Sequence, residues 1–135
     1  MSTSKKTRTV LELRVAITAT DYQRSLRFRC EGLGLEPAAQ WSNNGGRAVM
    51  LEMGQATLEI FDEAQATAID GIEVERRVSG QVRFALQVPD LADAMERLLA
   101  HGATLVHPPV VTPWGDRNAR FQDPDGVQIT LFQRP

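Results

Sequence analysis

Arg14 and Arg83 are the residues whose type and placement point most directly to chemistry. They stand 69 residues apart in matching contexts, Arg14-Val15-Ala16-Ile17-Thr18 and Arg83-Phe84-Ala85-Leu86-Gln87, and Asp21 and Asp90 follow at the same offset. A guanidinium stays protonated at any physiological pH and presents its N–H groups as a rigid fork, so a pair of arginines suits an anionic or carbonyl-bearing ligand. Glu59, in Thr57-Leu58-Glu59-Ile60-Phe61, is the carboxylate that strand alternation places on the same face. Two readings of the three are open. The arginines bind a ligand by forked hydrogen bonds, or Glu59 pairs with one of them in an internal salt bridge. A proton-transfer role for Glu59 is the weaker option, since neighbouring guanidinium groups depress a carboxyl pKa.

Alternation assigns each strand two faces. Val15, Ile17, Leu58, Ile60, Phe84, Leu86, Ile129 and Leu131 form an apolar set that belongs under helices. The opposite set holds Arg14, Thr18, Thr57, Glu59, Phe61, Arg83, Gln87, Gln128, Thr130 and Phe132, and is expected to line a cleft. Trp114, in the Pro113-Trp114-Gly115 turn, either stacks on a flat ligand or packs on its hairpin or a subunit neighbour, and Trp41 has the same alternatives. Arg117 and Arg120 are expected on a solvated surface. His101 and His107 lack metal-ligand spacing, and Cys30, alone, reads as a small core residue on a helix.

The elements that position these residues follow from period and punctuation. Val10–Ala19 reads as a strand ending at the helix cap Asp21. Tyr22, Leu26, Cys30 and Leu33 recur at near-helical spacing, and strands are expected over 35–42, 47–53 and 56–61. The order then restarts: a strand over 82–89, a helix capped by Asp90 with Leu91, Ala94, Met95, Leu98 and Leu99 on one face, and strands over 103–107, 117–122 and 127–132. Residues 62–80 are polar and lack a sustained period, which reads as a connecting segment. The expected organisation is a flexible arm over 1–9 and a single α+β domain over 10–135. It comprises two βαβββ modules, 10–62 and 81–135, joined by a linker over 63–80, with the modules forming a curled mixed sheet around a concave cleft and the helices outside.

The sequence carries 15 Lys and Arg against 17 Asp and Glu, and the cations are scattered, which argues against nucleic acid or an acidic membrane surface as partner. One cysteine and an N-terminus without an apolar run lead to a cytoplasmic expectation. No stretch approaches the length of an apolar membrane span.

Together, Arg14–Asp21, Ser25-Leu26-Arg27-Phe28 with Leu33-Gly34-Leu35, Leu58-Glu59-Ile60, Arg83–Asp90, Pro113-Trp114-Gly115 and Phe121-Gln122-Asp123-Pro124-Asp125-Gly126 resemble the vicinal oxygen chelate superfamily. That superfamily includes glyoxalase I, the bleomycin- and fosfomycin-resistance proteins and the extradiol dioxygenases. The resemblance implies the paired-module fold, a ligand cleft and dimeric assembly. Metal-binding members place ligands at the positions that fall here on Arg14, Glu59, Arg83 and Thr130. Only Glu59 is a competent ligand, so neither a metal nor another cofactor is expected. The resemblance leads to a metal-independent binder of a small aromatic or anionic molecule, held by Arg14, Arg83, Glu59, Phe61, Gln87, Trp114, Thr130 and Phe132. The alternatives are a lyase or isomerase that uses Glu59 with arginine electrostatics, and a structural homodimer with a vestigial cleft.

Overall fold

The computed structural model describes residues 15, 17, 19–43, 46–56 and 62–135. The expected arm over 1–9, most of the first strand, the strand over 56–61 and the side chains of Arg14, Glu59 and Phe61 lie outside the described residues. What is described of the first module begins with helix α1, Tyr22–Arg27, which continues through a wider-wound turn over Phe28–Gly32. The Asp21 carboxylate caps α1 by accepting from the Arg24 N–H at 3.0 Å, as its position predicts. Strands β1, Pro37–Asn43, and β2, Gly46–Leu51, then pair as an antiparallel hairpin.

The second module forms as the sequence predicts. Strand β3, Arg83–Gln87, leads to helix α3, Leu91–Ala100, and to strands β4, Thr104–Val111, β5, Arg117–Gln122, and β6, Gln128–Gln133. The sheet order is β3-β6-β5-β4, with β3 parallel to β6 and the other pairs antiparallel. Asp90 caps α3 by accepting from the Asp93 N–H, and Leu91, Ala94 and Leu98 turn into the core. Strand β4 runs four residues past its expected end, through Pro108 and Pro109. Proline is tolerated because β4 is an edge strand, and its pairing register with β5 shifts on either side of His107.

The core is the apolar face that alternation assigns. Ile129 and Leu131 of β6 and Ala119 and Phe121 of β5 pack with Leu91, Ala94 and Leu98 of α3, while Phe84 and Leu86 lie partly buried against them. Phe28, from the turn after α1, is fully buried in the same cluster, so the first module's helix completes the second module's core. A polar clamp holds that crossing: Arg29 Nη2 donates to Asp123 Oδ2 at 2.6 Å, and Arg24 reaches the Pro124 carbonyl. Asp123 also organises its own turn, since Oδ1 accepts from the Asp125 and Val127 N–H groups while Gly126 takes φ +88°.

The connecting segment corrects the sequence expectation. Residues Glu63–Val74 form a 12-residue helix, α2, capped by the Asp62 carboxylate on the Gln65 N–H, and it packs on β4 and β5. Its buried residues are Ile69, Asp70, Glu73 and Val74. Half of that face is acidic, which is why no apolar period marks it. The polar face of the second module is therefore covered by a helix over part of its area.

Candidate functional site

The site is built on β5 and β6. Their register sets Arg120 opposite Thr130, Asn118 opposite Phe132 and Gln122 opposite Gln128, so these residues share the face turned away from the core. Arg120, expected on a solvated surface, is fully buried. Tertiary packing reverses the expectation because α2 brings two carboxylates over it. Arg120 Nε and Nη2 donate to Glu73 Oε1 at 3.1 and 2.9 Å, and Nη2 also stands 2.9 Å from Asp70 Oδ1. Nη1 donates to Ser79 Oγ and Gln128 Oε1, so the whole guanidinium is engaged.

Thr130 connects this cluster to the arginine that opens β3. Its hydroxyl donates to Glu73 Oε1 at 2.6 Å and accepts from Arg83 Nη1 at 2.9 Å. The other oxygen of Glu73 accepts from Asn118 Nδ2 at 3.0 Å. Asn118 Oδ1 is buried and has no hydrogen-bond partner among the described residues, an arrangement that costs roughly 1–3 kcal/mol. Asp70 has a different surrounding. Burial pushes its carboxyl pKa up, but the Ser79 and Val78 N–H groups, the Ser79 hydroxyl and Arg120 outweigh that and hold it below its ordinary value. The cluster is thus a cradle of fixed donors around carboxylate oxygens. Arginine and threonine do not exchange protons near neutral pH, so the described residues suit anion binding better than acid–base chemistry.

Of the residues singled out in the sequence, Arg83 and Thr130 are brought together. Gln87 pairs in register with Phe132 at the other end of β3 and β6, where Gln87 is exposed and Phe132 half-buried. Trp114 sits on the β4–β5 turn, 52% exposed. The two histidines occupy separate places: His101 contacts the Arg97 carbonyl and His107 the Pro108 carbonyl. Glu73, Asp70 and Asn118 escaped the sequence reading. The available signal was the spacing of Asp70 and Glu73, which puts both on one helix face.

A metal ion does not fit this half of the site. Arg83 and Thr130 stand where metal-binding relatives are expected to place ligands, and the nearby carboxylates are already held by a guanidinium, which repels a cation. Among the described residues no three His, Cys, Asp or Glu side chains form a group that could hold a metal. Elsewhere, a depression of about 350 Å³ lies between α1 and the β1–β2 hairpin, where the Arg47 guanidinium stacks 4.5 Å from the Tyr22 ring centroid.

Comparison with solved structures agrees with this architecture. The chain is 26% identical to a member of the glyoxalase/bleomycin resistance protein/dioxygenase superfamily from Sphaerobacter thermophilus DSM 20745, covering 94% of this chain and 100% of that one with a TM-score of 0.62. A glyoxalase-related enzyme from Fulvimarina pelagi is 25% identical over 85% of this chain and 81% of its own, with a TM-score of 0.53. TnmS3, an antibiotic binding protein from Streptomyces sp. CB03234, shares the fold with a TM-score of 0.64 at 23% identity, over 96% of this chain and 100% of that one. No curated protein matches the sequence. The sequence model that matches residues 13–131 completes the case: this chain belongs to the Glyoxalase/Bleomycin resistance protein/Dioxygenase superfamily.

Proposed function

We propose that the chain binds a small aromatic or anionic molecule on the polar face of its paired-module sheet, with fixed positive charge in place of a metal. The observation that carries this reading is the contact of Arg83 Nη1 with the Thr130 hydroxyl at 2.9 Å. It brings together two residues that the sequence resemblance assigns to the ligand positions of metal-binding relatives, and a guanidinium recognises anions and carbonyl oxygens. Arg14, Glu59, Phe61, Gln87, Phe132 and Trp114 are the proposed remainder of the site. TnmS3 is described as an antibiotic binding protein, so ligand capture is one use of this fold. A homodimer in the cytoplasm is the proposed setting.

The test is thermal denaturation of the wild type and of Arg83→Ala against a panel of aromatic and anionic compounds. A ligand at 100 times its Kd stabilises the folded state by about 2.7 kcal/mol. A saturable rise in Tm for the wild type that Arg83→Ala weakens at least tenfold in apparent Kd supports the reading. No rise with any compound overturns it, and stoichiometric transition metal in the purified protein overturns its metal independence. Recovery of unchanged compound separates binding from lyase or isomerase activity. The second reading, a vestigial cleft in a structural protein, is favoured by one observation: α2 covers Arg120 and Thr130.

A further inference from the structure

We propose that Asn118, Arg120 and Thr130 form a carboxylate-binding subsite that the chain fills with its own Glu73, and that a small-molecule carboxylate takes the place of Glu73 when α2 lifts. This rests on the reading of the polar face as a ligand site, and it names the chemical class of the ligand.

The donors and the carboxylate they hold come from different parts of the fold. Arg120 Nε, Arg120 Nη2 and the Thr130 hydroxyl converge on Glu73 Oε1, and Asn118 Nδ2 meets Oε2. All of these donors stand on β5 and β6, whose ladder and apolar underside set the positions of their backbones. Arg83 donates to Thr130 and so leaves the hydroxyl proton directed at the carboxylate. The donors are therefore borne by the sheet and their occupant by a helix.

Few apolar side chains attach that helix. Its first three residues are exposed, it contains Gly71, and Ile69 and Val74 are its buried apolar residues. It ends at Glu75 with φ 67°, a left-handed conformation that glycine ordinarily fills. Elements with few buried apolar contacts open at low free energy.

Chemical rescue tests the proposal without knowledge of the natural ligand. Glu73→Ala is expected to melt below the wild type. Sodium acetate is expected to raise its Tm saturably, by about 3–6 °C over sodium chloride at equal ionic strength, with no such difference for the wild type. Equal responses to acetate and chloride overturn the subsite, as does a larger response to phosphate than to acetate. Glu73→Gln, which keeps the side-chain volume, serves if the alanine variant does not fold. In that variant, hydrogen exchange is expected to quicken at least tenfold for the amides of residues 63–74 while those of β5 and β6 keep their protection. Loss of protection in all three elements together makes Glu73 part of one cooperative core and overturns displacement. A wild type that binds a panel compound through Arg83, together with a Glu73→Ala variant indifferent to acetate, defeats the subsite and leaves the binding function standing. Acetate rescue with no panel compound bound does the reverse.

Discussion

The Thr130 hydroxyl donates to Glu73 at 2.6 Å, across 57 positions of sequence. That bond joins the last strand of the sheet to the segment between the modules. It ties the docking of α2 to residues that carry no apolar pattern.

Removing one partner of this buried cluster upsets its balance of charge, since Arg120 pairs with both Asp70 and Glu73. Glu73→Ala and Arg120→Ala are each expected to lose about 3–5 kcal/mol. The double variant Glu73→Met/Arg120→Met is expected to lose much less than the two single methionine variants combined, because the Asp70 that remains keeps its bonds from the Val78 and Ser79 N–H groups. Urea denaturation of the three proteins measures the coupling, and strict additivity would count against it.

Asp70 makes the fold sensitive to acid. Its pKa lies below the ordinary value when folded and returns to about 3.9 when unfolded, so the unfolded chain binds more protons as pH falls. Its contribution is present above about pH 4 and is lost as pH drops through the folded value. The expected urea midpoint shows no Asp70-linked change from pH 7 to about 5 and falls below about pH 4. Asp70→Asn should remove part of that fall while lowering the midpoint at pH 7.

The Asp123 turn locks the first helix to the second module. Asp123→Ala strands two N–H groups and the Arg29 guanidinium, and is expected to cost roughly 2–4 kcal/mol in urea denaturation. Asp123→Asn keeps an acceptor and should lose less. In the same turn, Gly126→Ala meets no closer atom than Gln122 Nε2 at 3.9 Å. Its expected cost of about 1 kcal/mol is conformational, from placing a Cβ at φ +88°.

Leu98→Ala tests the shared core. Leu98 is fully buried on α3 among Phe28, Phe121 and Leu131, and the substitution is expected to cost about 2–5 kcal/mol. A loss below 1 kcal/mol would mean that the cluster collapses around the missing methyl groups.

Much of this was legible from the chain alone. Asp21 and Asp90 announce helix starts because a capping carboxylate must precede the first turn. Ile129, Leu131, Phe84 and Leu86 announce the core face because side chains alternate on a strand. Arg83 and Thr130 share the polar face for the same reason. Local rules of backbone geometry and solvation, which act over a few residues, were enough for these elements and for the restart of their order.

The state of Arg120, Asp70 and Glu73 was decided only in the tertiary structure. A lone arginine on a strand and two acids in a polar segment each favour water, and nothing local distinguishes them from solvated surface. They become interior residues only together, when the docked helix supplies the opposite charge and the N–H groups of Val78 and Ser79 complete the hydrogen bonds. Burial of a charge is set by its partners, and Glu73 stands 47 residues from Arg120 and 57 from Thr130 in sequence.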